Sequence, residues 1–259
     1  MFLPRLIPIL LLKGKGLVKT VRFRHPRYVG DPINTVKIFN DLKADELVFV
    51  DITASRENRT ISHGLIRAIG DEAFMPFAAG GGIRSLEQIE HTLKAGAEKV
   101  VINTQAALKP KLVEEAAKHF GSQSVLVSID VKKTLFGKQV VMIKDGFERS
   151  DYGPVEWAKR VESLGAGEIM INSIDRDGMM QGYDLELIRN IADQVGIPVI
   201  ACGGAGCLEH LKEAYYQGHA HALAAGSMFV FHGPRRAVLI NYPSKMMITT
   251  LFESGTTEQ

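Results

Sequence analysis

Short, unbroken runs of aliphatic residues recur along this chain, and each is followed by a stretch whose apolar positions return at helical spacing. Eight such runs predict strands: Leu6–Leu12, Glu46–Asp51, Phe77–Gly80, Lys99–Ile102, Val125–Asp130, Glu168–Asn172, Val199–Ala201 and Ala222–Ala225. Continuous apolar runs suit parallel strands covered on both faces, whereas a half-exposed sheet would alternate. Helical spacing is clearest over Leu86–Ala95, Lys111–Phe120, Val155–Leu164 and Leu185–Gln194. The pairs Ala95-Gly96 and Leu164-Gly165 end two of these as a left-handed cap requires. Eight strands alternating with helices predict either a closed barrel or a large doubly wound sheet.

An internal repeat decides between them. Ala78-Ala79-Gly80-Gly81-Gly82-Ile83 resembles Ala201-Cys202-Gly203-Gly204-Ala205-Gly206, and Val48-Phe49-Val50-Asp51-Ile52 resembles Met170-Ile171-Asn172-Ser173-Ile174-Asp175. The offset is close to half the chain, so two four-stranded halves close on each other. The expected fold is an α/β, (β/α)8 TIM barrel with an internal half-barrel repeat. It forms one domain over 1–259, with half-barrels at about 1–121 and 122–240 and a poorly ordered tail over 241–259.

Composition narrows the function rather than the fold. With 46% hydrophobic and 23% charged residues the chain has enough apolar material for a full core. A net charge of +2 gives no reason to expect nucleic acid, although Arg22, Arg24, His25 and Arg27 form a local basic group. The two cysteines, Cys202 and Cys207, suit neither a disulfide framework nor a metal site. The apolar N-terminus is too short to span a bilayer and lacks a cleavage site, so it is read as a buried strand in a cytoplasmic protein.

In such barrels the chemistry sits on the loops that follow the strands. Gly80-Gly81-Gly82 and its repeat mate Gly203-Gly204 fall there, beside Asn103-Thr104 and Gly226-Ser227. Backbone N–H groups of glycine turns approach anions closely, so each half can cradle a phosphate. The plainer alternative is that these glycines only make tight turns. Asp130 ends the fifth strand, where a general acid or base would act. Asp51 and Asp175 end the second and sixth, and Asp177 follows; these either bind substrate hydroxyls or cap helices.

The repeat also exposes a gap. Ile129-Asp130-Val131-Lys132 superposes on Leu10-Leu11-Leu12-Lys13, so the mate of Asp130 is Leu11, and residues 6–20 contain no acid to replace it. At the opposite end, Arg5, Glu46, Lys99 and Glu168 open strands one, two, four and six. They are either a stabilising ionic ring or a charged gate.

These residues bring a family into view. Gly30-Asp31-Pro32, the run Asp45–Ser55, Gly80-Gly81-Gly82-Ile83-Arg84, Gly121-Ser122-Gln123, Gly165-Ala166-Gly167-Glu168-Ile169, Ser173–Gly178 and Gly203-Gly204-Ala205-Gly206 carry the likeness. Over roughly Arg5–Phe231 the chain closely resembles the cyclase subunit of imidazole glycerol phosphate synthase, a lyase of histidine biosynthesis. The resemblance implies a cofactor-free, metal-free barrel that binds a bisphosphorylated ribotide and partners a glutaminase on its N-terminal face. Ammonia would travel through the barrel to an acid–base pair of aspartates, which closes and cleaves the ribotide to imidazole glycerol phosphate and aminoimidazole carboxamide ribotide.

By the same resemblance Gly82, Asn103, Thr104, Asp177, Gly178, Gly204 and Gly226 match phosphate sites and Lys19 matches a substrate-loop lysine. Arg5, Glu46, Lys99 and Glu168 match an ammonia gate. The chain departs from the family at Leu11, where the second catalytic aspartate belongs, and at Asn172, Met179 and the segment Phe231–Arg236. A kept ammonia route with altered cyclase chemistry looks like the paralogous branch tied to surface polysaccharides. There the barrel is thought to supply ammonia to a separate sugar amidotransferase.

Overall fold

The computed structural model describes residues 3–253. Eight parallel strands close into a barrel: β1 (Arg5–Lys13), β2 (Leu47–Asp51), β3 (Phe77–Gly80), β4 (Lys99–Ile102), β5 (Val125–Lys133), β6 (Glu168–Ser173), β7 (Val199–Cys202) and β8 (Ala222–Ala225). Each strand pairs with its sequence neighbours, and β8 pairs with β1 to complete the ring. Outside it run α1 (Pro32–Asp41), α2 (His63–Glu72), α3 (Leu86–Lys94), α4 (Lys111–Phe120), α5 (Pro154–Ser163), α6 (Leu185–Ala192) and α7 (Leu208–Tyr216). Asp31, Ser62, Ser85 and Asp184 start four of these helices by accepting a backbone N–H with the side chain.

Strand alternation divides the core in two. Leu6, Leu10 and Leu12 pack outward against the helices, together with Phe49, Ile129 and the fully buried Trp157. Ile7, Ile9, Val48, Val101, Leu126 and Met170 point inward and fill the barrel. Both faces of every strand are therefore buried, which is why the runs read as continuously apolar. The inward set also fixes what stands at each end of the barrel. Arg5, Ile7, Ile9 and Leu11 share a face of β1, as Ser128 and Asp130 do on β5 and Glu168, Met170 and Asn172 on β6.

Two strands overrun the barrel. β1 continues into a hairpin made by Gly16–Val21 and Arg24–Gly30, and β5 pairs beyond the ring with Gln139–Ile143. The end of the chain corrects an expectation. Residues 241–253 are fastened rather than poorly ordered: the Tyr242 hydroxyl donates to the Leu6 carbonyl at 3.0 Å and its ring meets Phe39 edge-on. A final helix, α8 (Lys245–Glu253), buries Phe252 and accepts a hydrogen bond from Tyr216. The rest of that expected tail, 254–259, lies outside the described residues. Among the described residues no helix is long and apolar enough to cross a membrane.

Candidate functional site

The loops after the strands enclose a cavity of about 660 Å³, and both proposed phosphate cradles open into it. Its walls include Gly82, Asn103 and Thr104 from one half and Gly178, Gly204, Gly226 and Ser227 from the other. Lys19, Asp51, Asp130, Asp177 and Leu11 line it as well. The structure brings these residues together around one cavity and gives several of them partners within the protein.

Asp130 stands at the centre. It is 8% exposed, and its carboxylate accepts from Asn103 Nδ2 at 3.0 Å and from Asn172 Nδ2 at 3.3 Å. Burial raises its pKa to about 7; Asp145 and Asp177 push the same way, and the two amides only partly oppose this. A raised folded-state pKa makes the group's contribution to stability fall as pH rises from about 4 to 7. Asp130→Asn is therefore expected to stabilise the fold by about 2–4 kcal/mol at pH 8 and hardly at pH 4. Melting curves at the two pH values check this, and a shift that does not depend on pH would contradict it.

Across the barrel from Asp130, four strands away in either direction, is Leu11. Its backbone is paired on one side with Val50 and on the other with Val18, so its side chain is fixed among the inward groups. The mismatch read from the repeat is a mismatch across the mouth. Lys19 lies between the β1 hairpin and the barrel, 5% exposed, and its ammonium donates to the Ile9 carbonyl against Gly226. Burial lowers its pKa to about 8, with Asp177 opposing.

Two carboxylates of the cavity wall, Asp51 and Asp177, also hold loops together. Asp51 accepts from Thr53 N at 3.0 Å and Ala54 N at 3.2 Å, and is neutralised by a two-pronged contact from Arg59. Asp177 accepts from Thr20 Oγ1 at 3.0 Å and Phe23 N at 3.3 Å, which fastens the β1 hairpin over the mouth. Gly178 makes that docking possible, since a Cβ there would lie 2.2 Å from the Thr20 carbonyl. Gly82, at φ +67°, likewise leaves room for the Arg59 carbonyl. The tight-packing role of these glycines is therefore real, and it coexists with their place in the cavity wall.

Asn103 spends its amide on Asp130 and the Ser128 carbonyl, while Thr104 accepts from Lys144 N at 3.0 Å. Thr104 and Ser227 begin short helices at equivalent places in the two halves, Thr104–Leu108 and Ser227–Val230. Among the described residues, no group of three or more His, Cys, Asp or Glu is placed to hold a metal ion.

The other end of the barrel is closed by charge. Arg5 bridges Glu46 and Glu168, and Lys99 bridges the same two carboxylates at 2.9 Å each. The four make a closed, alternating ring, with the Glu46 side chain 2% exposed. Directly above it lies the apolar inward layer of Ile7, Val48, Val101 and Met170.

A sequence profile described as histidine biosynthesis protein matches residues 5–233. The chain belongs to this family. It is 50% identical over 239 residues to a Pseudomonas aeruginosa protein provisionally named imidazole glycerol phosphate synthase subunit hisF2, covering 92% of this chain and 95% of that one. A protein of Leptospira interrogans with the provisional name imidazole glycerol phosphate synthase subunit HisF is 44% identical over 253 residues, covering 97% and 100%. The imidazole glycerol phosphate synthase subunit HisF of Alkaliphilus metalliredigens is 42% identical over 232 residues, covering 90% and 92%. The chain is thus a member of the imidazole glycerol phosphate synthase subunit family on sequence as well as fold.

One structural feature of the mouth was not legible in the sequence. The β5 hairpin is clasped to the β2 loop by Arg56, which pairs with Asp145 at 2.9 Å and lies over Phe147 at 5.3 Å. It mirrors the Asp177 clasp on the β1 hairpin, so the half-barrel repeat extends to two lids. Asp51 and Arg56 stand five positions apart after one strand, but nothing local marks Asp145 as the partner.

Proposed function

We propose that this chain is the cyclase-like, ammonia-conducting subunit of a glutamine amidotransferase complex. It holds a glutaminase at its N-terminal face and passes ammonia up through the barrel, in the cytoplasm and without a cofactor. The ammonia serves a separate sugar amidotransferase that forms an acetamidino group for O-antigen-type surface polysaccharide. The observation that carries this reading is the pairing of Leu11 with Asp130 across the mouth while the ring at the other end is complete. Ring closure by two opposed carboxylates needs a proton donor and an acceptor, and leucine is neither. The apolar layer above the ring favours neutral ammonia over ammonium, because an unpaired cation there would be heavily penalised.

The two cradles suit a phosphorylated ligand with a phosphate at each end, held by Gly82, Asn103 and Thr104 on one side and Gly178, Gly204, Gly226 and Ser227 on the other. That same feature, with an Asp130 pKa of about 7, favours the second reading: an authentic histidine-pathway cyclase working with one carboxylate. The deciding experiment supplies the purified chain with the bisphosphorylated ribotide and an ammonium salt. Turnover far below that of a two-aspartate relative, with no rescue of a histidine auxotroph, is expected. Turnover at the relative's rate would overturn the proposal.

A further inference from the structure

Ammonia that leaves the mouth needs an acceptor held over it, and the rim of the mouth has features that fit one. β1 and β5 stand on opposite sides of the barrel, so their hairpins project from opposite sides of the exit. The turn of the β5 hairpin carries Leu135 and Phe136, 102% and 98% exposed. Its backbone is closed by Thr134 N to the Lys138 carbonyl at 2.8 Å and Gly137 N to the Thr134 carbonyl at 2.9 Å. Neither side chain belongs to the core, and two adjacent large apolar groups on a built, projecting turn are the mark of an interaction site. Phe147 and Tyr28, on the same face, are also exposed.

The two hairpins carry charge of one sign: neither 13–30 nor 131–144 contains an Asp or Glu, in a chain whose net charge is only +2. Lys15, Arg22, Arg24 and Arg27 are exposed on the β1 hairpin, and Lys133 and Lys138 on the β5 hairpin beside the apolar tip, with Lys133 paired to Asp184 at 3.0 Å. We infer that the C-terminal face is the docking surface for a protein that presents an acidic face, namely the ammonia-consuming enzyme, with Leu135 and Phe136 as its anchor. This inference rests on the conduit reading of the chain. Charge complementarity steers such a partner, and aromatic anchors carry a disproportionate share of interface energy. A second copy of this chain would meet the same basic face and be repelled. A lipid surface would seal the exit that the acceptor must reach.

The test uses the chain bound to its glutaminase, together with a sugar amidotransferase of the class named in the proposed function. Amide-labelled glutamine or an ammonium salt serves as the nitrogen source. The double substitution Leu135→Ser with Phe136→Ser is expected to cut label transfer from glutamine to the sugar by about tenfold or more. Transfer from ammonium salt and the melting temperature should stay as in the wild type. Lys15→Glu with Lys138→Glu should weaken coupling in the same sense, and the wild-type coupling should fall with added salt.

If the wild-type complex labels the sugar and both variants do so equally well, the docking surface is wrong while the conduit stands. If the wild type labels no sugar but converts the ribotide, the conduit reading itself fails. Flotation of the chain with anionic phospholipid vesicles that is lost in the Leu135/Phe136 variant would overturn the proposal in favour of a membrane contact. Dimerisation lost in that variant would overturn it in favour of self-association.

Discussion

Leu11→Asp is expected to raise ammonium-dependent conversion of the bisphosphorylated ribotide by about 10²–10⁴-fold, the usual worth of a positioned general acid or base. The geometry is ready for the substitution. Leu11 is held by β2 on one side and by the hairpin on the other, so an aspartate there would share the inward face with Ile9 and look across at Asp130. Lys19, bonded to the Ile9 carbonyl two residues away, supplies a neighbouring positive charge that favours the ionised form. Two carboxylates in unlike surroundings would then face each other, one kept near a pKa of 7 by burial and one held charged by lysine. That division of proton donor and acceptor is what paired acid–base sites require. Steady-state assays without a glutaminase measure the gain, and adding Asp130→Asn to the same chain should remove it. A folded Leu11→Asp variant that gains less than about threefold would move the deficit elsewhere, to Asn172 or the hairpin, and would weaken the proposed change of role.

The gap at Leu11 was legible without any structure because a barrel built from two similar halves compares itself. The ring was legible for a related reason. Strand parity carries Arg5 onto the inward face with Ile7 and Ile9, and Glu168 with Met170, so charges at strand starts had to point into the barrel. What the sequence hid is everything decided by distant partners. The stretch Lys19–Arg27 alternates poorly and contains Pro26, and its place over the mouth depends on Asp177, 157 residues from Thr20. The loop contacts of Asp51 and Asp177 could not be read because a carboxylate's hydrogen-bond partners leave no periodic trace. The helix α8 was missed because Ile248, Thr249 and Thr250 are poor helix formers, and only the packing of Phe252 against Tyr215 and Tyr216 makes the segment pay.

Lys99→Ala is expected to uncouple the two ends of the barrel. In the wild type each carboxylate of the ring is shared between Arg5 and Lys99, so the four charges balance and their side chains fill the opening below the apolar layer. Truncating Lys99 leaves Glu46 and Glu168 to one guanidinium. It also removes three side-chain carbons and the ammonium group from the aperture and lets water reach the layer that should carry only ammonia. Breaking a largely buried pair is also expected to destabilise the fold, by about 3 kcal/mol, so the assay belongs well below the melting temperature. With amide-labelled glutamine and an intact glutaminase, label reaching the acceptor per glutamine hydrolysed should fall by about fivefold or more, the remainder appearing as ammonium in solution. Ammonium supplied from outside should serve the acceptor as before, because it does not need the ring. Lys99→Met, which keeps the bulk and loses the charge, then separates the two parts of the argument. If bulk alone seals the barrel, it should retain most of the coupling; if the charge network holds the seal, it should leak like Lys99→Ala. Label transfer that is undiminished in both variants would mean that the ring only stabilises the fold and that nitrogen reaches the acceptor by another route.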